Sequence, residues 1–196
     1  LNGVECDLFK PYDTALLRKE MKLENKYVIL HVTSNFTGSV KGGRFVIELA
    51  ERLKDRAVIL LAGSKDTIPG LPDNIINLGL VKNQESLAKY YSMADLYVMT
   101  SKKETFSMPV AESLCCGTPV VGFMAGGPET ISIPEYSEFT EYGNMDKLEK
   151  IVYKWIDKDI NSHEIAEQAK KKFSKSEMAK QYIKIYRALT GTEGRK

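Results

Sequence analysis

The sequence predicts an α/β fold in which helices cover both faces of a parallel β-sheet of about six strands. Short apolar runs rich in β-branched residues alternate along the chain with segments of helical periodicity. Apolar residues within these runs are consecutive, which is typical of strands buried on both faces. Because strand and helix alternate, right-handed crossovers are expected to join the strands into a Rossmann-like sheet.

The composition is that of one ordinary soluble domain, with 196 residues of which 43% are apolar and 28% are charged. The formal net charge of +2 gives no strong electrostatic case for nucleic acid as a partner. The three cysteines fit a reducing cytoplasm better than a disulfide framework. No apolar run approaches the roughly 20 residues of a membrane span. Cysteine and histidine spacing predicts no metal site.

The first residues are predicted to precede the domain proper. Residues 1–12 show no sustained periodicity, so we interpret them as an interdomain linker, and their abrupt start is expected of a cut within a longer protein. Asp13 is predicted to cap a short helix that ends near Met21. The domain itself is expected to span residues 13–175.

Five strands are predicted in the middle of the chain, at residues 27–32, 57–62, 75–78, 95–99 and 119–123. The helix after the first strand has an apolar stripe formed by Val46, Leu49, Ala50 and Leu53. Asn83 is predicted to cap the helix after the third strand. The helix after the fourth strand is predicted to begin at Ser107 or Met108 and to end at Gly117, with Pro109 in its first turn.

The last third of the chain is predicted to be mainly helical, after a short edge strand at residues 138–140. Three helices carry capping boxes, which are Asp146 with Glu149, Asn161 with Glu164, and Ser174 with Glu177. The final helix, within residues 176–196, has an apolar stripe formed by Met178, Tyr182, Ile185 and Leu189. We expect that stripe to be covered by this chain or by a missing N-terminal domain.

Two carboxylates lie on either side of the start of the helix after the fourth strand, with seven residues between them. Glu104 lies in the loop after the fourth strand, and Glu112 lies one to two turns inside the helix. Ligands of open parallel sheets bind outside the carboxyl ends of the strands, and a helix N-terminus attracts anions. A carboxylate also accepts hydrogen bonds from the vicinal hydroxyls of a sugar. Taken singly, each acid is explained equally well as a solvated surface charge.

Two glycine loops are predicted to lie at the same edge of the sheet. After the first strand, Gly38, Gly42 and Gly43 surround Lys41, an arrangement of N–H groups and one cation that suits a diphosphate. The loop matches neither the Walker nor the GxGxxG pattern, so a surface turn explains it about as well. Residues 125–129, Ala-Gly-Gly-Pro-Glu, follow the fifth strand. Three converging loops together favour a ligand site.

Other candidates are assigned structural roles. Residues 157–159 spell the DxD of metal–nucleotide sites, but no buried strand leads into them, so a capping or surface role is predicted. His31 lies near the cleft end of the first strand, and we interpret it as a satisfied core histidine. Ser113 and the cysteines lack partners for a nucleophilic triad.

The segment ETFSMPVAESLCCGTPVVGFMAGGPE resembles the E-x7-E region of retaining GT-B glycosyltransferases of family 4, usually E-x-F-G-x-x-x-x-E-A-x-A-x-G-x-P-V-V followed by GG-x-x-E. The resemblance extends from NGVECDLFKP through VKGG, NLGLV and YYSMADLYVMTS to YIKIYRAL. Several motifs in the right order are more specific than any one of them. The resemblance implies the C-terminal, donor-binding half of a two-domain enzyme, in which the N-terminal half supplies most of the acceptor site.

The resemblance also implies roles for particular residues. Glu104 would be the catalytic residue beside the donor sugar, Lys41 would neutralise the diphosphate, and Glu112 would bind ribose hydroxyls. The amides of Ser107 and Met108 would hold sugar or phosphate oxygens at the helix start. The donor-binding set implied by the resemblance is Asn35, Lys41, Gly42, Val81, Asn83, Thr105, Phe106, Ser107, Met108 and Glu112.

Two departures from the family pattern concern this site. An arginine is common six residues before the loop lysine, and Asn35 stands there, so one diphosphate cation is missing. Arg44, Lys102 and Lys103 are the nearby cations considered as substitutes. Thr105 and Ser107 stand where glycine is common, a change that still permits backbone hydrogen bonding.

The expected function is retaining transfer from a UDP-, GDP- or ADP-linked sugar to a glycan or lipid-linked acceptor, in polysaccharide or glycoconjugate biosynthesis. No obligatory metal or other cofactor is expected, and the isolated chain is expected to bind donor without turnover. The expected location is the cytoplasm, with peripheral association at the inner face of the membrane left open. A sugar-nucleotide epimerase of GT-B type and a non-catalytic nucleotide-binding domain are the alternatives.

Overall fold

Six parallel strands form one sheet in the structure, a computed structural model that describes residues 2–65 and 68–190. The strands are β1 (Tyr27–Val32), β2 (Ala57–Ala62), β3 (Ile75–Gly79), β4 (Leu96–Met99), β5 (Val120–Phe123) and β6 (Ser137–Thr140). Their spatial order is β3-β2-β1-β4-β5-β6, and every neighbouring pair is parallel. The predicted Rossmann-like sheet is therefore confirmed, including the edge position of β6.

Helices cover both faces of this sheet, as predicted. They are α1 (Ala15–Glu20), α2 (Gly43–Leu53), α3 (Gln84–Met93), α4 (Met108–Cys115), α5 (Pro128–Ile131), α6 (Met145–Ile156), α7 (Ser162–Phe173) and α8 (Lys175–Thr190). Residues of α3, α4 and α7 form one apolar cluster against the sheet, and residues of α2 and α6 form a second cluster on the opposite face. The predicted stripe of α2 is fully buried in the second cluster.

The helix caps follow the predictions in three of the five cases and differ in two. The side chains of Asn83, Asn161 and Ser174 each accept a backbone N–H in the first turn of the helix that they precede. Helix α1 has Thr14 as its N-cap, although the Asp13 carboxylate still accepts the N–H of Ala15. The remaining capping box is wrong, because α6 is capped by Asn144.

The two acids predicted to cap α6 instead join it to α2. The guanidinium of Arg52 binds Asp146 at 2.8 Å and Glu149 at 2.9 Å. Asn144 accepts the N–H of Lys147 at 3.1 Å, since the chain turns into the helix two residues earlier than the capping pattern indicated. Asp146 and Glu149 therefore face the neighbouring helix α2 rather than the N-terminus of α6.

The segment before α1 packs against the domain. The N–H of Val4 donates to the carbonyl oxygen of Phe173 at 2.7 Å, and Val4 also forms a bridge with Ser174. Phe9 is buried, with its ring edge-on to Tyr91 at a centroid distance of 6.2 Å. These contacts place residues 2–12 on the face covered by α3 and α7, and their role as an interdomain linker stays a prediction.

Three of the four residues in the predicted apolar stripe of α8 are exposed, and the fourth, Met178, is half-buried. Tyr182, Ile185 and Leu189 are exposed, and so are Ile183 and Tyr186 beside them. The end of the predicted helix, residues 191–196, lies outside the described residues. Within the described ranges, no helix combines the length and the apolarity needed to cross a membrane.

The N-cap residue of α4 belongs to the predicted site and has an unusual backbone conformation. Ser107 has φ 69° and ψ 83°, in the left-handed region that favours glycine. This residue stands where the family pattern has glycine, so the sequence departure and the unusual backbone coincide. A serine held there stores strain of the kind found at ligand-binding turns.

Replacing Ser107 with glycine should stabilise the fold. Relief of the left-handed strain outweighs the entropy that glycine adds to the unfolded chain, which leaves a net gain of about 0.5–1 kcal/mol. Thermal unfolding should show the melting temperature rising by about 1–4 °C. Ser34→Gly, at an exposed position without positive φ, is the control and should not raise it. An equal effect of both substitutions would show that Ser107 is not strained.

Candidate functional site

The strand order creates a topological switch point between β1 and β4. From β1 the chain builds outward to β3, then returns to add β4 on the other side of β1. The loops that leave β1 and β4 therefore diverge and open a crevice at the carboxyl edge of the sheet, where α/β proteins bind ligands. The loop of residues 33–42 lies on one side of this crevice, and the loop of residues 100–107 lies on the other.

The two loops are tied together by backbone contacts. The N–H of Lys102 donates to the carbonyl oxygen of Val40 at 2.8 Å. The hydroxyl of Thr100 donates to the carbonyl oxygen of Lys41 at 3.0 Å. Gly42 has φ 72°, and a Cβ there would lie 2.1 Å from the Thr100 carbonyl oxygen. Glycine is needed at Gly42 because only a residue without a side chain lets the loops approach this closely.

The backbone of Glu104 is clamped by the glycine loop after β5. Its N–H donates to the carbonyl oxygen of Ala125, and its carbonyl oxygen accepts the N–H of Gly127, both at 2.9 Å. A Cβ at Gly127 would lie 2.5 Å from the Thr105 carbonyl group. The Glu129 carboxylate accepts the N–H groups of Ala125 and Gly126 and so closes the loop. The segment Gly126-Gly127-Pro128-Glu129 therefore positions Glu104.

Sequence reasoning had not assigned this supporting role to Gly127 and Glu129. The signal was present in the motif itself, since an acid two residues after a glycine pair is suited to accept the free N–H groups of the turn. What the motif could not show is that the turn packs on Glu104, because that contact joins segments that follow different strands.

An ion pair lies at the centre of the crevice. Lys41 Nζ and Glu104 Oε1 are 2.8 Å apart, with their side chains 37% and 18% exposed. Both residues line a cavity of about 230 Å³. The cavity is lined by Asn2, His31, Val32, Lys41, Tyr97, Met99, Ser101, Glu104, Thr105, Phe106, Ser107, Met108 and Pro109. Six of the predicted site residues, Lys41, Glu104, Thr105, Phe106, Ser107 and Met108, are thus brought together.

These six residues do not all present side chains to a ligand. The ring of Phe106 is buried and stands edge-on to Phe173 at a centroid distance of 6.3 Å, so this residue packs in the core beside the cavity. Ser107 and Met108 lie at the start of α4, where backbone N–H groups lack helical partners. The cavity therefore combines one ion pair with the positive end of a helix.

Glu112 lies on α4 and does not line this cavity. Its Oε2 accepts a hydrogen bond from the hydroxyl of Tyr91 at 3.2 Å, and Tyr91 itself is fully buried. Burial raises the pKa of the Glu112 carboxyl above its usual value, and the Tyr91 hydroxyl acts in the opposite direction. Tyr91 thus holds the carboxylate in place and stabilises its ionised form.

The other predicted donor-binding residues lie outside the cavity. Gly42 borders a second cavity of about 570 Å³, which Arg44 and Lys102 also line. The side chain of Asn83 caps α3 by accepting two N–H groups. Val81 packs against the apolar cluster of α3 and α4, and Asn35 is exposed. Base contacts by Val81 and Asn83 therefore stay predictions.

The second cavity also bears on the missing diphosphate cation. Arg44 and Lys102 line it, Lys41 does not, and its walls include Phe36, Ile47 and Tyr142. Neither cation lines the cavity that holds the Lys41–Glu104 pair. Of the residues bordering that cavity, Lys41 is therefore the one cation.

His31 differs from its predicted role as a satisfied core histidine. The side chain is buried, and Nδ1 lies 3.0 Å from the carbonyl oxygen of Val98. Its Nε2, however, is buried without a hydrogen-bond partner among the described residues. Burial lowers the pKa of His31 to about 4, so the ring is neutral at neutral pH.

The remaining candidates from the sequence lie at a helix end or in the core. Asp157 is the C-cap residue of α6, which agrees with the capping role predicted for residues 157–159. The thiols of Cys6 and Cys115 lie 3.7 Å apart, and all three cysteines are free and buried. Across residues 2–65 and 68–190, no three His, Cys, Asp or Glu side chains cluster as metal ligands would.

Comparison with known proteins finds relatives over much of the chain. A D-inositol 3-phosphate glycosyltransferase of Mycobacterium sp. (strain KMS) is 28% identical over 137 residues, which cover 64% of this chain and 31% of the relative. An N-acetyl-alpha-D-glucosaminyl L-malate synthase of Bacillus anthracis is 26% identical over 205 residues, which cover 94% of this chain and 52% of the relative. The chain thus spans about a third to a half of the length of these relatives.

Solved structures share the fold. Anabaena Alr3699/HepE in complex with UDP-glucose has a TM-score of 0.80 and 19% identity, and the match covers 95% of this chain and 56% of that one. Residues 13–172 match the family described as glycosyl transferases group 1. The chain therefore belongs to the glycosyl transferases group 1, and its six-stranded sheet with flanking helices is the fold found in GT-B glycosyltransferases.

Proposed function

We propose that this chain is the donor-binding half of a retaining glycosyltransferase of family 4. The enzyme transfers a sugar from a nucleotide-diphospho-sugar to a glycan or lipid-linked acceptor, in the cytoplasm or at the inner face of the membrane. The Lys41–Glu104 ion pair at the switch point of the sheet is the observation that carries this proposal. The matched family and a neighbour that holds UDP-glucose support it.

Lys41 binds the diphosphate of the donor. Transfer breaks the bond between the anomeric carbon and a diphosphate oxygen, so negative charge grows on the leaving group. A lysine ammonium and the N–H groups at the start of α4 stabilise that charge in the shielded crevice. Because these groups do the work that a metal ion does in other transferases, the proposed reaction has no obligatory metal.

Glu104 acts on the sugar. Its carboxylate accepts hydrogen bonds from donor hydroxyls and lies near the anomeric carbon, where positive charge grows as the leaving group departs. The diphosphate competes with Glu104 for Lys41, so donor binding frees the carboxylate to turn to the sugar. The ion pair thus keeps both side chains oriented before the donor arrives.

Glu112 binds the ribose of the same donor. An ionised carboxylate is a strong acceptor for two vicinal hydroxyls, and the buried Tyr91 hydroxyl fixes its rotamer. The base, which is uracil, guanine or adenine, lies beyond the ribose toward Val81 and Asn83. Donor recognition therefore runs along α4 from the sugar at its start to the nucleoside one to two turns later.

The acceptor is bound by an N-terminal domain outside this sequence. In that arrangement the two halves face each other across a cleft, and the donor lies on the half described above. The isolated chain accordingly binds donor without transferring its sugar. Product analysis with the full-length protein and an acceptor separates transfer from the epimerisation that a related GT-B enzyme would catalyse.

The isolated chain should bind one of UDP, GDP or ADP in calorimetric titrations. Lys41→Met should weaken that binding at least about tenfold, since a charged hydrogen-bonding partner of the diphosphate is lost. Lys19→Met, on the exposed side of α1, is the matched control and should leave the affinity unchanged. Failure of the folded chain to bind any of the three nucleotides would remove the donor-site proposal.

Glu104→Gln should have opposite effects on binding and on catalysis. The amide keeps the shape of the side chain but releases Lys41 and removes a negative charge, so nucleoside diphosphate should bind about two- to fivefold more tightly. Sugar transfer by the full-length enzyme should fall by about a hundredfold or more. Glu51→Gln on α2 serves as the control for both assays. Unchanged transfer in the Glu104 variant would favour a non-catalytic nucleotide-binding domain.

Tyr91→Phe should move the pH dependence of nucleotide binding. Affinity is full above the raised pKa of Glu112 and falls as the pH drops through it, because a protonated carboxyl binds the ribose hydroxyls less well. Loss of the Tyr91 hydroxyl raises that pKa further, so the fall should begin at higher pH. Titrations of nucleoside diphosphate across the acidic range measure this shift. Tyr90→Phe, one residue earlier on α3, is the control, and an equal profile for both variants would contradict the assignment.

A further inference from the structure

His31 is a buried histidine whose hydrogen-bonding capacity is only half used. The Nδ1 atom faces the carbonyl oxygen of Val98 at 3.0 Å. Because a carbonyl oxygen only accepts hydrogen bonds, Nδ1 must carry the proton. The second nitrogen, Nε2, is then a bare acceptor, and it has no partner among the residues that the structure describes.

An unsatisfied buried acceptor is uncommon, since leaving it unpaired costs stability. His31 is also one of the residues that line the cavity of the Lys41–Glu104 pair. Phe36, in the loop that carries Lys41, stands edge-on to the imidazole at a centroid distance of 6.1 Å. The imidazole therefore lies beside the loop that carries Lys41, the residue proposed to bind the diphosphate of the donor.

The chemistry of Nε2 restricts its partner to a hydrogen-bond donor. An ionised phosphate oxygen offers only lone pairs and would be repelled by a neutral imidazole acceptor. A sugar hydroxyl carries the proton that Nε2 lacks. The diphosphate accordingly belongs with Lys41 and the α4 amides, while the part of the ligand that meets His31 is the sugar.

We propose that His31 is a sugar-binding residue, in which Nε2 accepts a hydrogen bond from one hydroxyl of the donor sugar. This inference rests on the proposed donor site and adds a specificity-determining residue to it. The bond is available to a nucleotide-sugar and absent for a bare nucleoside diphosphate. His31 thus contributes to the preference for donor over the nucleotide product.

Two substitutions separate the two ring nitrogens. In His31→Asn the amide lies close to the position of Nδ1, so it retains a donor for the Val98 carbonyl but has nothing at Nε2. In His31→Gln the longer side chain places an amide oxygen near Nε2. His163, the other histidine of the chain, is exposed on α7, so His163→Asn is the matched control.

The quantity to measure is the ratio of two affinities, for a nucleotide-sugar and for its nucleoside diphosphate, by calorimetry. His31→Asn should lower the preference for the nucleotide-sugar about three- to tenfold, as expected for one lost hydrogen bond. His31→Gln should restore much of it, and His163→Asn should not change it. A nucleotide-sugar that lacks the recognised hydroxyl should bind the wild type more weakly and show no further loss in His31→Asn.

Nitrogen-15 NMR of the imidazoles in the wild-type chain covers the case in which a His31 variant fails to fold. The Nε2 resonance of His31 should shift on addition of the nucleotide-sugar and stay in place with nucleoside diphosphate alone. An unchanged affinity ratio in folded His31→Asn, or an Nε2 resonance indifferent to the sugar, would show that water satisfies the nitrogen and would overturn the inference. If the wild type binds neither ligand, the donor site itself fails, and the His31 assignment fails with it.

Discussion

The close approach of three loops at the carboxyl edge of the sheet is the constraint on which the candidate site depends. Gly42 lets the loop after β1 touch the backbone of Thr100, and Gly127 lets the loop after β5 touch the backbone at Thr105. A methyl group at either glycine would overlap backbone atoms that cannot move aside without shifting a whole loop. The separation of Lys41 from Glu104 is therefore set by packed backbone rather than by the flexibility of two long side chains.

Because packed backbone holds Lys41 and Glu104 close together, the two charges neutralise each other within the cavity. Lys41 and Glu104 are the charged residues among those that line the cavity, so its formal charge is balanced before a ligand arrives. A partly exposed ion pair of this kind contributes little to the stability of the fold. A diphosphate therefore exchanges one anionic partner of Lys41 for another, and the N–H groups of α4 supply the additional attraction that makes the exchange favourable.

The sequence predicted the fold more completely than the site. The bounds of β1 and β2 agree residue for residue, because consecutive buried apolar residues leave a strong local pattern. The predicted N-cap of α6 was wrong because Asp146 and Glu149 bind Arg52, a partner nearly a hundred residues away in the chain. Motifs likewise predicted that Glu104 and Lys41 belong to one site, but not that Tyr91 bonds Glu112 or that His31 has a free nitrogen. Those contacts depend on which strands become neighbours, which local patterns do not encode.

Burial shifts the pKa values of Glu112 and His31 in opposite directions. It raises the pKa of Glu112 and lowers that of His31, since the low-dielectric interior disfavours the charged form of each. The Tyr91 hydroxyl opposes this effect at Glu112 and helps to keep an anionic acceptor there. The hydrogen bond to the Val98 carbonyl opposes the effect of burial on the pKa of His31 but does not outweigh it, so the ring remains a neutral acceptor. The candidate site thus offers acceptors at Glu112 and His31 and donors at Lys41 and the start of α4, a combination that suits a ligand with both hydroxyl groups and phosphates.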